Sequence, residues 1–171
     1  MLLDLKNNQV IINSEVLTIP EFKKLWDSDK TKSKEDAILL FTYMYHVCDF
    51  SSPYNNLTGE LKTSTINKDL MGDSKYKMSD ILIAAIVKYK ELTETPEMRL
   101  LTSWKNKIDE MARFINNTKI DINNVTVLTK VGIDMEKILT ASQKLEDVVK
   151  KQKESKNSKI RGNKVAALFE D

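Results

Sequence analysis

The sequence predicts a mainly α fold: a helical bundle with a small N-terminal β-hairpin or flap and an extended C-terminal tail. Three observations carry this reading. Four glycines and three prolines in 171 residues, with 30% of the chain charged, leave few positions to punctuate loops and strands, which favours long helices. Apolar residues between 79 and 149 recur at spacings of three and four, the period of a helix face. From residue 150 to 164 that pattern gives way to seven Lys or Arg against one Glu. The organisation that follows is a β flap over 1–19, a helical bundle body over 20–149, and a basic extended tail with an apolar tip over 150–171.

Strand formers open the chain on either side of turn formers: Leu2-Leu3-Asp4-Leu5, then Asn7-Asn8, then Val10-Ile11-Ile12, then Asn13-Ser14, then Val16-Leu17. Such a hairpin or three-stranded flap is too short to stand alone and must lean on helices or a partner. Pro20, early in a first turn where its missing N–H costs nothing, starts a helix to about residue 27 whose apolar face is Phe22, Leu25 and Trp26. Ser33 reads as the N-cap of a second helix, with Glu35 and Asp36 in the first turn where the helix dipole favours acid, running to residue 48. A loop over 49–56 precedes a weak helix around 59–70 that has little to bury beyond Leu61, Ile66 and Leu70. Ser79-Asp80 opens a segment, Ile81 to Leu92, that is apolar nearly all round and is expected to be the most buried helix. Thr95 caps the next helix, 96–117, with Pro96 at its first position. Its stripe Leu101, Trp104, Ile108, Met111 and Ile115 is expected to pack on helix 81–92 in the centre of one core. A last helix begins near Asn123 or near Asp134, carries Ile138, Leu139, Ser142, Leu145, Val148 and Val149, and fades into the basic tail.

Composition excludes several classes of protein. The single cysteine, Cys48, rules out an internal disulfide and fits a reducing compartment. The first residues lack the basic region and apolar core of a signal peptide. The longest apolar run, Ile81 to Val87, falls far short of the ~20 residues a membrane span needs. The formal net charge is +2, and because the tail concentrates the positive charge, the remainder is net negative by four.

The chemistry-bearing residues read as structural. His46 and Cys48 stand two apart on a helix, so their side chains diverge, and no second His or Cys completes a tetrahedral metal site or a nucleophile–base pair. The adjacent acids Asp109 and Glu110, like Glu35 and Asp36, lie on a solvated face with nothing to separate their pKa values. Gly59, Gly72, Gly132 and Gly162 are isolated, so no phosphate-cradling loop exists. Tyr43, Tyr45, Phe50 and Tyr54 could stack bases, but no Lys or Arg lies between Asp36 and Lys62, and packing is the favoured reading. No catalytic, cofactor-binding or metal residue is singled out, and the chain reads as a non-enzyme.

The tail carries the binding signal. Its basic residues Lys150, Lys151, Lys153, Lys156, Lys159, Arg161 and Lys164 suit acidic groups on a partner. Val165, Leu168 and Phe169, at i, i+3 and i+4, form a one-turn apolar anchor of the kind that seats in a protein groove; phosphates have no use for Leu and Phe.

Three stretches resemble structural proteins of large tailed bacteriophages: Leu5-Lys6-Asn7-Asn8-Gln9-Val10-Ile11-Ile12 followed by Thr18-Ile19-Pro20-Glu21-Phe22-Lys23-Lys24-Leu25-Trp26, the loop Asp49-Phe50-Ser51-Ser52-Pro53-Tyr54, and the terminus Arg161-Gly162-Asn163-Lys164 through Leu168-Phe169-Glu170-Asp171. The nearest likeness is to the ring, or head-to-tail adaptor (connector), proteins of crAss-like phages. That resemblance implies a virion protein assembled in the host cytoplasm, with no cofactor and no membrane. It implies a helical bundle forming a homo-oligomeric ring, commonly twelve-fold, under the portal vertex, with an extended terminus reaching the portal protein or the adjacent tail ring proteins, near packaged DNA. The rival from another class is a small intracellular regulator that binds nucleic acid through the basic C-terminal tail. The two separate on salt: phosphate contacts weaken steeply with ionic strength, whereas apolar docking by Leu168 and Phe169 does not.

Overall fold

The computed structural model describes residues 2–6 and 9–166, with side chains through residue 152. The chain is mainly helical, with six α-helices and one antiparallel β-hairpin among the described residues, and it divides into two compact units between Glu94 and Thr95. No helix among the described residues is long and apolar enough to cross a membrane.

The first unit begins with strands β1 (Asp4–Lys6) and β2 (Gln9–Ile11), paired with Leu5 opposite Val10. Val10 is buried, and its N–H donates to Thr42 Oγ1 at 3.2 Å, so the hairpin leans on a helix as its shortness requires. Val16–Thr18 form a 3₁₀ turn, not a third strand. Helix α1 (Pro20–Ser28) starts at its proline and buries Phe22 and Leu25.

Helix α2 (Glu35–Cys48) is capped differently from the sequence expectation. Ser33 does not cap it. Lys34 occupies the cap position in the left-handed region, at φ 56°, and the Asp29 carboxylate returns from the end of α1 to accept from Ala37 N at 3.2 Å in the helix's first turn. The same carboxylate accepts from Thr31 Oγ1 at 2.7 Å and Thr31 N at 2.8 Å, and these bonds, the hydroxyl's first, hold its pKa below the ordinary 3.8. Lys34 Nζ donates to the Trp26 and Asp29 carbonyls and lies 5.6 Å from the Trp26 ring centroid, which ties the unusual cap to α1.

With seven buried residues, α2 is the central helix of this unit. The breadth of its apolar face fits that central place, but the 81–92 segment, expected to be the most buried helix, buries less. Helix α4 (Asp80–Thr93) instead buries one face through Leu82, Ala85, Ile86 and Tyr89 and exposes Ile81, Ile83, Val87 and Leu92. Between them, α3 (Gly59–Ile66) runs into a π turn over Asn67–Met71, which Gly72 ends at φ 71°, a conformation glycine adopts without steric cost. Phe22, Phe41 and Tyr89 meet at the centre of the core, with Phe22 edge-on to Phe41 at a centroid distance of 6.0 Å.

The second unit is a helical hairpin. Helix α5 (Pro96–Asn117) is capped by Thr95, whose hydroxyl accepts from Met98 N at 3.4 Å, and α6 (Val125–Ala166) follows a short connection. Asp121 and Asn124 lock that connection reciprocally: Asn124 N donates to Asp121 Oδ1 and Asp121 N to Asn124 Oδ1, both at 2.9 Å. The α5 stripe Leu101, Trp104, Ile108, Met111, Ile115 and the α6 stripe Leu128, Val131, Met135, Ile138, Ser142, Leu145, Val149 are covered positions with alternating three and four spacing, the pattern of a coiled-coil seam. The α5 stripe therefore packs on α6, in a unit separate from α4, and the single core expected from sequence becomes two. Trp104 is half-buried, as a seam of two helices leaves it.

The tail departs from the sequence expectation most. Residues 150–166 are not extended: they continue α6 as helix. Leu168 and Phe169 lie outside the described residues.

Candidate functional site

Two polar clusters and two surfaces could carry chemistry. The first cluster surrounds the end of α2. His46 is buried, with Nδ1 3.3 Å from Ser52 Oγ and its ring edge-on to Tyr45 and Tyr54 at 5.5 and 5.1 Å. Ser52 Oγ accepts from Tyr54 N at 3.2 Å and so caps the turn Pro53–Asn56. Asp49 is buried and accepts from Ser51 N at 2.7 Å and from Tyr89 OH at 2.8 Å, which ties the loop to α4. Lys62 reaches across from α3 to donate to the Val47 carbonyl at 2.9 Å.

A serine beside a histidine invites comparison with a nucleophile and its base. The other groups are engaged in packing, because Asp49 receives the Tyr89 hydroxyl and Ser52 serves as a cap. Burial, then the Lys62 charge, holds the His46 pKa below its ordinary 6.5, which keeps the ring neutral. Burial pushes the Cys48 thiol up to about 12, so thiolate is scarce at neutral pH. Burial and the neighbouring Asp49 likewise raise Tyr89. No group of three or more His, Cys, Asp or Glu side chains among the described residues could hold a metal. The cluster is a polar clasp between α2, the loop after it, α3 and α4.

The second cluster was not legible in the sequence. Asn67, at the start of the π turn, is buried; its Oδ1 accepts from Tyr43 OH at 2.7 Å and its Nδ2 donates to the Ser74 and Tyr76 carbonyls at 3.2 and 3.3 Å. Each polar atom of that side chain is used, which pins the 73–76 turn to the core. Tyr43 and Tyr45, weighed as base-stacking residues, are buried, while Phe50 and Tyr54 are half-buried, and Tyr54 OH donates to Asp69 Oδ2 at 3.0 Å.

Of the residues assigned to partner binding, Lys150 and Lys151 are exposed on α6. Lys153, Lys156, Lys159, Arg161, Lys164 and Val165 belong to the helix, but their side chains lie outside the description, as Leu168 and Phe169 do entirely. The helix itself is informative. Lys105 Nζ sits 2.7 Å from Glu146, which sets the antiparallel register and places Pro96 level with about residue 155, given equal rise along both helices. Beyond that level α5 offers α6 no partner. At the same point the seam positions turn polar: Val149 is followed by Gln152, Lys156, Lys159 and Asn163. The exposed apolar side chains Ile120 and Ile122 stand on the locked connection at the other end of the hairpin.

Comparison with protein families, with curated proteins and with solved structures finds no match for this chain.

The neutral His46 gives the fold a pH dependence. Because its folded-state pKa lies below 6.5, the unfolded chain takes up the proton first; stability is full above that value and falls as the pH drops toward the folded-state pKa. Denaturation midpoints measured from about pH 8 to about pH 5 should decline in the native chain and decline less in His46→Gln. Equal slopes would show that the imidazole is not the titrating group.

Proposed function

We propose that this chain is a non-catalytic assembly protein: a ring-forming head-to-tail connector of a tailed-phage virion, docking on the portal and neighbouring ring proteins. The observation that carries the reading is the course of α6, which runs past the start of α5 as a basic helical arm, its seam positions having turned from apolar to polar. A basic helix that leaves its own hairpin and stops offering an apolar face suits a partner of opposite charge. Further support comes from the likeness of the three sequence stretches to connector proteins, and from the mainly helical fold with its small N-terminal hairpin. The polar groups around His46 and Asn67 are engaged in packing, which favours a scaffold over an enzyme.

The same arm would serve a regulator that binds nucleic acid, since Lys150, Lys151, Lys153, Lys156, Lys159, Arg161 and Lys164 are spread round the helix and can meet phosphates on any side. Imaging of the particles decides. Symmetry-related copies of the chain beneath the portal vertex are expected; a position elsewhere in the capsid would reduce the reading to a general virion role, and absence from the particle would end it.

A further inference from the structure

The two flanks of the α5–α6 seam are unlike. In the heptad register one flank carries Lys105 of α5 and Glu146 of α6, joined at 2.7 Å with their side chains only 18 and 27% exposed. Charge closes this flank at that level, and Leu139 of α6, one heptad away, is 40% exposed. The register places Leu100 and Phe114 of α5, with Ala141 and Val148 of α6, on the opposite flank. Leu100, Phe114 and Val148 are each 44 to 45% exposed, although they form one row along the hairpin. Behind them the seam residues Trp104, Ile108 and Leu145 remain half-buried. Two helices alone leave this side of their core open to water.

We propose that a second copy of this chain closes the open flank with its own, so that two hairpins form a four-helix bundle. Three features favour a second copy as the occupant. The row is self-complementary in size: α5 supplies the large side chains Leu100 and Phe114, α6 the smaller Ala141 and Val148, and a two-fold axis along the bundle sets α5 of each copy against α6 of the other. The row also holds two charged residues, Lys107 between Leu100 and Phe114 and Asp134 one heptad before Ala141, and each is balanced within its own copy, Lys107 by Glu110 at 2.6 Å and Asp134 by Lys137 at 3.6 Å, so like charges do not repel across the axis. The face is also large enough. A hairpin flank as long as α5, about 33 Å, and two helices wide, about 20 Å, approaches the ~800 Å² that each partner of a stable interface buries. The inference goes beyond the connector reading and needs only two copies of the chain.

Sedimentation equilibrium of the full chain at about 1 to 100 μM, the range in which an interface of this size is read, is expected to give the mass of two chains. Leu100→Lys together with Phe114→Lys should give the mass of one chain with an unchanged helical circular dichroism signal. Ile133→Lys, an exposed position off the row, should leave the dimer intact. If the double variant loses helix, Val148→Lys carries the same test from α6. A one-chain mass for the native protein throughout the range overturns the proposal, and so does self-association of any order that survives the substitutions in the row.

Discussion

Phe22→Ala is expected to cost the first unit about 3 to 5 kcal/mol, the range for removing a buried aromatic ring from a core that cannot collapse around the gap. Phe22 is fully buried and sits where three helices converge: it comes from α1, meets Phe41 of α2 edge-on at 6.0 Å, and lies 6.5 Å from Tyr89 of α4. The loss is a large share of the roughly 5 to 15 kcal/mol that a domain holds in total. It would also loosen Tyr89, whose hydroxyl holds the buried Asp49 carboxylate, so the loop after α2 should lose order with the core. Urea unfolding followed by tyrosine environment and helical signal reads the cost. A change below about 1 kcal/mol would mean that α1 does not close this core. Trp104→Ala, for which the sequence alone suggests a similar cost, should fall below it, because the hairpin seam leaves the indole half-exposed.

The contrast between these two aromatics shows what the residues reveal and what they withhold. Local signals read well. Pro20, the Ser79 cap and the Thr95-Pro96 start all stand where the sequence puts them, since each acts on backbone within one turn of itself. The apolar stripe of α5 is equally plain, because three and four spacing is a property of one helix. Its partner is not, because the stripe says which face is apolar and nothing about which of two apolar helices covers it. Nor does an all-round apolar helix say which side it buries: α4 turns Leu82 and Tyr89 inward and leaves Ile83 and Val87 outside.

Tertiary returns were out of reach. Ser33 looked like the cap of α2 by proximity, but Asp29 takes that role by folding back over eight residues, and Asn67 becomes a buried hub only because a π turn aims it at Tyr43 and the 73–76 turn. The tail differs for another reason. Its composition marks it as solvated, which suits an extended chain and a projecting helix end alike. Lys, Gln, Glu, Arg and Ala are good helix formers, and a helix already nucleated upstream propagates into them without a second nucleation cost. In the hairpin, Leu139 and Val148 looked like part of the buried stripe; they flank it, one position away, and stay exposed.

The helical arm is where the account is most exposed to test. Deleting residues 160–171 removes Arg161, Lys164, Val165, Leu168 and Phe169 while sparing the seam, whose last buried apolar member is Val149. If the arm is the docking element, ordering it on a partner costs about 1 to 2 kcal/mol per backbone residue fixed, less where helix is already formed, and contacts along its length must offset that. The truncated chain should keep the melting temperature and helical content of the body nearly unchanged and should fail to enter the particle. The measurement is incorporation of the truncated chain, scored in purified particles against the full chain expressed at the same level. Loss of incorporation with an intact fold is the predicted result; a truncated chain that assembles as well as the full one would contradict the assembly role assigned to the arm.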